Sequence, residues 1–339
     1  MLFFKNNNKF ILSFKFLAAI FLAAFLSSCG YHDDLHMRHH QLWLLWNGYY
    51  QQLETSLDQQ YGLYKKNKLK GAEFSRQIQS IEYVNDGGEQ RLAGYVQAMP
   101  NSKWSHLLYG LYLVKQAKDM RGIQTIDQTS QGSIDQMKVL AERAKPLLEA
   151  ANQHQSPFGL YAGGMINVNR MLQTEDENRR LVNEAIARDG DIWRAPTAYF
   201  ITLYPQWGGS EGAMAQFVLD VKPAHPILAK ALQADFFWRR GKDYAVSGQA
   251  DAAIAEYEKA VELYPDEYAL KDLGEKYMQR GDCEAAVKLF ERNLDENDEW
   301  DWSSLESLKQ AYQCAGKTWK ASRVDSKIQE LLARFTKGE

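Results

Sequence analysis

Three histidines near the N-terminus are the residues best suited to metal chemistry. His32, His36 and His40 are spaced four residues apart, and residues i and i+4 share one face of a helix. Imidazole nitrogens bind Zn²⁺ or Cu²⁺, so this spacing predicts at most a weak metal site. All three cannot reach one ion, because eight helical residues span about 12 Å. We therefore predict a solvated tether with no metal ion and no cofactor, and a weak metal site is the alternative.

The rest of the chain lacks the usual signatures of catalysis. It contains no His-Glu-x-x-His, Ser-x-x-Lys or glycine-rich phosphate loop. Residues 208–212, Gly-Gly-Ser-Glu-Gly, have the Gly-x-Ser-x-Gly spacing but follow no predicted strand, which that motif requires. Gly163-Gly164 and Gly208-Gly209 are expected to allow close helix packing, and Trp207 to fill part of the core. We therefore expect a non-enzymatic protein. The alternative is an enzyme acting on the cell wall, with two facing carboxylates somewhere in residues 41–225.

Composition favours a helical protein that does not bind nucleic acid. The chain has 339 residues, a formal charge of −3, 12% aromatic residues and eight prolines. Few β-branched runs occur, which favours helix over sheet. A chain that is acidic overall lacks the basic surface that nucleic acid requires.

The N-terminal segment has the layout of an export signal. Lys5, Lys9 and Lys15 precede an uncharged stretch, residues 16–26, which is shorter than the roughly 20 apolar residues of a spanning helix. Leu-Ser-Ser-Cys, ending at Cys29, then resembles a bacterial lipobox. The resemblance implies cleavage before Cys29 and acylation of that cysteine by fatty acids such as palmitate. Gly30 is not the Asp that retains lipoproteins in the inner membrane, so the resemblance implies an outer-membrane anchor facing the periplasm. The alternative is an unmodified cysteine in an ordinary signal peptide.

A sequence repeat organises the C-terminal third. The members of the first unit recur at one constant interval in the second; they are Gly241, Tyr244, Gly248, Ala253 and Tyr257, followed by Gly274, Tyr277, Gly281, Ala286 and Phe290. A degenerate third unit, at a slightly longer interval, keeps Tyr312, Gly316 and Ala321. The pattern resembles the tetratricopeptide repeat, which implies antiparallel helical hairpins that stack on their neighbours.

We therefore predict an all-α protein built from stacked helical hairpins, with an irregular N-terminal part. The predicted divisions are a signal peptide at 1–28, a tether at 29–40, an irregular helical domain at 41–225, and repeats with a capping helix at 226–335. Within residues 40–220, Pro100, Trp104, Gly110 and the Trp-Gly-Gly-Ser turn at 207–210 resemble a family of bacterial helical proteins without an assigned activity.

The two remaining cysteines fall at neighbouring ends of stacked helices. Cys283 begins the second helix of one unit, and Cys314 ends the first helix of the next. An exported chain is in a compartment where disulfides persist, so we predict a Cys283–Cys314 bridge. The alternative is a pair of buried free thiols.

The repeats also predict a binding surface. In the resembled family the first helix of each hairpin lines a concave surface that holds a peptide or a partner helix. By position this implies Asp235, Trp238, Lys242, Tyr268, Lys271, Glu275, Glu306 and Gln310. The set mixes aromatics with both charge signs and lacks a dense Lys/Arg cluster. We expect the partner to be another cell-envelope protein or peptide, with membrane contact through the lipid. Alternatively these residues face solvent or pack on upstream helices.

Overall fold

The computed structural model describes residues 33–84, 87–122, 129–297 and 302–337, and within these ranges the chain is helical with no strand. This confirms the all-α prediction. The helices are α1 Asp33–Trp46, α2 Tyr50–Lys65, α3 Gly71–Glu82, α4 Gly88–Ala98, α5 Lys103–Arg121, α6 Gln131–Gln153, α7 Phe158–Leu172, α8 Asn178–Asp189, α9 Arg194–Thr202, α10 Glu211–Val221, α11 Pro226–Val246, α12 Ala250–Leu263, α13 Glu267–Gln279, α14 Cys283–Asn297, α15 Trp302–Cys314 and α16 Thr318–Lys337. Short 3₁₀ turns occupy Glu175–Glu177 and Pro205–Trp207. Within those same ranges, no helix has the length and hydrophobicity needed to cross a membrane.

Consecutive helices pack as hairpins around three apolar cores. One large core extends from Leu44 to Leu232 and takes residues from α1 to α11. Two small cores follow, one from Ala234 to Leu273 and one from Ala286 to Ala321. Helix α11 begins at the predicted domain boundary, yet its first two turns complete the large core and its later residues join the second. One helix therefore connects the irregular part to the repeats.

Two adjacent glycines on α7 allow the helices of the large core to approach closely. A Cβ at Gly163 would lie 2.6 Å from Cγ of Arg194, and one at Gly164 would lie 2.9 Å from Cδ2 of Leu111. Both positions exclude any larger side chain unless a neighbour moves. The predicted packing role of Gly163-Gly164 is therefore confirmed.

The sequence repeat corresponds to a repeated contact between the two helices of a hairpin. A Cβ at Gly241 would lie 2.6 Å from the ring of Tyr257, and one at Gly274 would lie 2.7 Å from the ring of Phe290. Each missing side chain thus makes room for an aromatic ring on the second helix. In the third unit the equivalent positions are Lys309 and Asp325, which form an ion pair at 3.2 Å instead.

A second repeated contact joins one hairpin to the next. The Tyr277 hydroxyl on α13 donates a hydrogen bond to Glu258 on α12, and the Tyr312 hydroxyl on α15 donates one to Glu291 on α14. Glu258 and Glu291 are themselves separated by the interval that separates Gly241 from Gly274. The tyrosines of the repeat therefore link neighbouring units as well as filling space.

Candidate partner-binding surface and an adjoining basic cluster

The predicted binding residues lie on the first helices of three successive hairpins. Helix α11 carries Asp235, Trp238 and Lys242, helix α13 carries Tyr268, Lys271 and Glu275, and helix α15 carries Glu306 and Gln310. Spacings of three, four and seven residues place the members from each helix on one face of it. We call this set the first-helix surface.

Side-chain contacts connect the three helices of the first-helix surface. The Trp238 indole N–H on α11 donates to Oδ2 of Asp272 on α13 at 2.7 Å, and the Trp238 and Tyr268 ring centroids are 5.8 Å apart. From α13, the Lys271 ammonium donates to the Ser303 hydroxyl on α15 at 2.6 Å. These bonds bring the residues of α11 and α13 together and join them to α15. Asp272 and Ser303 were not identified from the sequence.

The members at the two ends of the surface are placed differently. Asp235 pairs with Arg239 of its own helix at 2.9 Å, and Glu306 pairs with Lys309 of its own helix at 2.7 Å. Gln310 is exposed. The surface is therefore continuous from Asp235 to Lys271, and less so on α15.

Aromatic faces and mixed charges characterise the middle of the surface. Tyr268 is 49% exposed, and the Lys242 ammonium lies 5.0 Å from the centroid of the Trp238 ring. Burial raises the pKa of the Glu275 carboxyl, although Lys271 opposes the shift. An accessible tyrosine beside a partly buried tryptophan is the composition typical of a protein-binding surface.

The two C-terminal cysteines are bonded. Cys283 and Cys314 lie 31 residues apart in sequence, and their Cα atoms are 5.5 Å apart, which falls in the usual range for a disulfide. Beside them the Lys317 ammonium pairs with Glu284 at 2.5 Å. The structure thus supports the predicted bridge, which fastens α14 to the end of α15.

The N-terminal candidates fall at the edge of the described residues. Cys29 and His32 lie outside them, and His36 is in α1 with its side chain outside the description. The His40 ring is exposed and stacks near Trp43, with centroids 6.3 Å apart. Among the side chains that the structure describes, no group of three His, Cys, Asp or Glu residues could hold a metal ion.

Two buried carboxylates of residues 41–225, Glu82 and Asp189, and the half-buried Glu54 have structural partners. Glu82 accepts two hydrogen bonds from Arg194, each at 2.5 Å. Asp189 accepts one from the backbone N–H of Gly159 at 3.0 Å. Glu54 accepts hydrogen bonds from the hydroxyls of Tyr95 and Ser102. Each of these carboxylates therefore holds two helices or a helix end in place.

Next to the first-helix surface lies a group of cations around Trp207. The guanidinium carbons of Arg121 and Arg170 lie 3.7 and 5.1 Å from the centroid of the Trp207 ring. The Arg239 guanidinium lies over Tyr204, 5.4 Å from its ring centroid. With Lys118, which interacts with both Arg170 and Arg239, these residues form what we call the basic cluster: Lys118, Arg121, Arg170 and Arg239.

The positive charges of the basic cluster repel one another, and this repulsion lowers the pKa values of Lys118 and Arg170. Burial lowers the pKa of the Lys118 ammonium to about 7, with further lowering by Arg194 and Arg170. Burial also lowers the pKa of Arg170 to about 10, and the charges of Arg121 and Arg239 add to the effect. For Arg239 burial acts in the same direction, but the adjacent Asp235 carboxylate raises its pKa overall. Carboxylates offset part of this repulsion: Glu82 acts on Lys118, Glu175 on Arg170, and Asp243 together with Asp235 on Arg239.

Sequence reasoning did not find the basic cluster. Its members belong to α5, α7 and α11, which are far apart along the chain, so no local spacing marks them. We expected Trp207 to fill part of the core. It is partly buried against the large core, and the guanidinium groups of Arg121 on α5 and Arg170 on α7 lie near its ring.

Comparison with known proteins adds little to this description. No family model and no curated protein matches the chain. Among solved structures, a human IFIT1 dimer with PPP-AAAA aligns over 86% of this chain and 82% of its own, with 13% identity and a TM-score of 0.35. A human IFIT1 dimer with m7Gppp-AAAA aligns over 87% and 81%, with 13% identity and a TM-score of 0.33. At TM-scores this low, the alignment supports no inference about a ligand.

Proposed function

We propose that this protein is a bacterial lipoprotein held by acylated Cys29 on the periplasmic face of the outer membrane, where it acts as a non-catalytic scaffold. Its first-helix surface binds another envelope protein during assembly or localisation of an envelope or secretion machine. The observation that carries the binding proposal is the connection of α11, α13 and α15 through Trp238, Tyr268 and Lys271.

Pre-organisation is the physical reason to favour binding at this surface. The bond from Trp238 to Asp272 fixes the indole, and the neighbouring Tyr268 ring remains accessible. A partner that covers these rings loses little side-chain entropy from them on binding, because the Trp238 indole is already fixed. Aromatic anchors of this kind contribute most of the energy in many interfaces.

An aromatic group at the start of the fold supports attachment to a membrane. Trp43, Trp46 and Tyr49 are 46%, 39% and 44% exposed, and they follow directly after the predicted tether at 29–40. Tryptophan and tyrosine favour the membrane–water interface, where one part of the ring is apolar and the other is wet. A lipid on Cys29 would bring these rings close to the bilayer.

Crosslinking in living cells tests the binding proposal. A photo-crosslinking amino acid placed at Gln310 should capture a defined envelope protein, and capture should fall when Trp238 and Tyr268 are both replaced by alanine. Trp319→Ala is the matched control, because Trp319 is 66% exposed and lies on α16, outside the surface. Equal capture by the double variant and the control would refute the proposed surface.

The anchor has a separate test. Intact-mass measurement of the purified protein should show a mature chain that begins at Cys29 and carries added acyl groups. Cys29→Ser should abolish the added mass and release the protein from the membrane fraction, since acyl chains contribute about 0.8 kcal/mol per buried CH₂. An unmodified mature chain would refute the lipoprotein assignment.

A further inference from the structure

Three exposed aromatic side chains lie together where helix α1 ends and α2 begins. Trp43, Trp46 and Tyr49 are 46%, 39% and 44% exposed, and we call them the aromatic turn. Leu44 and Leu45, which lie between the two tryptophans in sequence, are buried in the large core. With 3.6 residues per helical turn, burial of these leucines directs the two tryptophans away from the core. The fold of the large core therefore leaves the tryptophan rings uncovered.

A helix-ending motif fixes the shape of the aromatic turn. The Tyr49 N–H donates to the Leu44 carbonyl at 2.9 Å, and the Gly48 N–H donates to the Leu45 carbonyl at 3.2 Å, which is the hydrogen-bond pattern of a Schellman motif. Gly48 has a φ of +71°, which glycine adopts without the steric cost of a side chain. This reversal brings the Tyr49 ring to 5.2 Å from the Trp43 ring, measured between centroids. The rings thus form a surface whose geometry the backbone sets.

The aromatic turn belongs to an uncharged stretch and has an arginine at its rim. Residues 39–53 contain no Asp, Glu, Lys or Arg. The Arg91 guanidinium of α4, an exposed residue, lies 5.9 Å from the centroid of the Trp46 ring. Covering the rings therefore takes no carboxylate or ammonium group of this stretch out of water, and Arg91 can donate hydrogen bonds to a lipid phosphate. Tryptophan and tyrosine next to a phosphate donor are the side chains that favour the membrane–water interface.

The position of the aromatic turn in the chain identifies the bilayer as the surface that covers it. Only three residues separate Cys29 from Asp33, where α1 begins. The chain from Cys29 to Asp33 spans at most about 14 Å, and α1 rises about 15 Å from Asp33 to Trp43. A lipid on Cys29 would therefore keep Trp43 within about 30 Å of the membrane surface. Contact with the bilayer then has the high effective concentration of an intramolecular step, which contact with a separate protein lacks.

We infer that Trp43, Trp46 and Tyr49 lie in the headgroup region of the bilayer and hold the N-terminal end of the helical stack against the membrane. The inference rests on the proposed lipid anchor and adds a second contact, made by the folded protein itself. A single point of attachment does not define how the fold is oriented on the membrane, whereas a second contact restricts it.

Quenching of tryptophan fluorescence by brominated lipid tests the inference. The purified full chain is reconstituted in phosphatidylcholine vesicles with or without bromine atoms near the headgroup end of the acyl chains, where bromine quenches only the tryptophans that it contacts. Wild type should be quenched, and Trp43→Phe combined with Trp46→Phe should lose most of that quenching. Phenylalanine keeps an aromatic ring at both positions, so the packing of α1 is retained.

Trp319→Phe is the matched control, because Trp319 is 66% exposed but lies on α16; it should be quenched as strongly as wild type. Absence of quenching in wild type, or equal quenching in wild type and the Trp43/Trp46 double variant, would overturn the inference.

Crosslinking in living cells distinguishes a bilayer from a protein as the partner of the aromatic turn. A photo-crosslinking amino acid placed at Trp46 should capture phospholipid, and the same amino acid placed at Trp319 should not. Capture of one defined protein at Trp46 would replace the bilayer with a protein partner and overturn the inference.

The inference and the proposed function can fail separately. If Cys29 is acylated and capture at the first-helix surface depends on Trp238 and Tyr268, while Trp43 and Trp46 escape quenching, the inference fails and the proposed function stands.

Discussion

The irregular N-terminal region and the C-terminal repeats solve the same packing problem in different ways. From Leu44 to Leu232 a single core collects residues from eleven helices, and one of its buried carboxylates, Glu82, pairs with Arg194, which is 112 residues away in sequence. From Ala234 onward the cores are small, and the contacts recur at a fixed interval, as between Gly241 and Tyr257 and again between Gly274 and Phe290.

The difference between the two regions affects both how cooperatively each unfolds and how well its contacts can be predicted from the sequence. A repeat array contacts only its neighbours, so its stability is approximately a sum of unit and interface contributions. A core shared by many helices couples distant residues, so one lost contact affects the whole region. Because each repeat contacts only its neighbours, its contacts can be predicted from sequence spacing, and its contribution to stability can be measured separately from that of the other repeats.

The largest effect is expected in the large core. Glu82→Gln would leave the Arg194 guanidinium without its carboxylate, close to Lys118, and breaking a buried pair in this way costs about 3–5 kcal/mol. Urea denaturation measures the loss in free energy of unfolding. The matched control is Glu89→Gln, which breaks the pair of Glu89 with Arg143, where both side chains are exposed; there the loss should stay below about 1 kcal/mol. Equal losses of unfolding free energy in Glu82→Gln and Glu89→Gln would contradict the difference expected between a buried and an exposed ion pair.

Removal of the disulfide should have a large but local effect. Replacing Cys283 and Cys314 by serine opens a loop of 31 residues, which the chain-entropy relation values at about 3–4 kcal/mol. Hydrogen exchange should accelerate in α15 and α16 and remain unchanged in α1 to α10. Faster exchange throughout the chain would show that the repeats and the large core unfold as one unit.

The Gly–aromatic contact of the repeats gives a smaller effect. In Gly274→Ala the new Cβ would lie 2.7 Å from the Phe290 ring, and overpacking of this kind costs about 1–3 kcal/mol. Gly62→Ala in α2 is the matched control, because a Cβ there would meet no atom within 4 Å and the change should stabilise the helix by about 0.5–1 kcal/mol. Thermal unfolding of both variants measures the difference in sign. Stabilisation by Gly274→Ala would contradict the packing role of the repeat glycine.

The smallest effect concerns the charge of Lys118. Its pKa is lowered from the ordinary 10.5 to about 7 by burial and by Arg194 and Arg170. Between these values the unfolded chain binds one more proton than the folded chain, so stability gains from this group as the pH rises. Partial solvent access reduces the effect. Lys118→Met should therefore flatten the rise in unfolding free energy between pH 7 and 9. The control Lys145→Met, which removes an exposed lysine of α6, should leave that rise unchanged. Identical pH profiles for wild type and Lys118→Met would show that Lys118 has an ordinary pKa.

The repeat residues show which contacts could be predicted from the sequence. The positions of Gly241, Tyr257, Gly274 and Phe290 were enough to place the repeat helices, because both partners of each contact lie within one hairpin. The cysteine pair followed from the same register. Glu258 and Glu291 recur at the same interval and could have been found, but glutamate is common on helix surfaces and did not stand out.

What the sequence determined by itself is the helical class, the hairpin register of the repeats, the cysteine pairing and the helices that carry the first-helix surface. Tertiary structure alone decided that α11 belongs to two cores, that Arg121 and Arg170 meet at the Trp207 ring, and that Lys118 and Arg239 lie close enough to Arg170 to interact with it. The physical reason is distance along the chain. Contacts within a hairpin are set by helical periodicity and a short turn, whereas the basic cluster depends on how three helices from two different parts of the fold pack against one another.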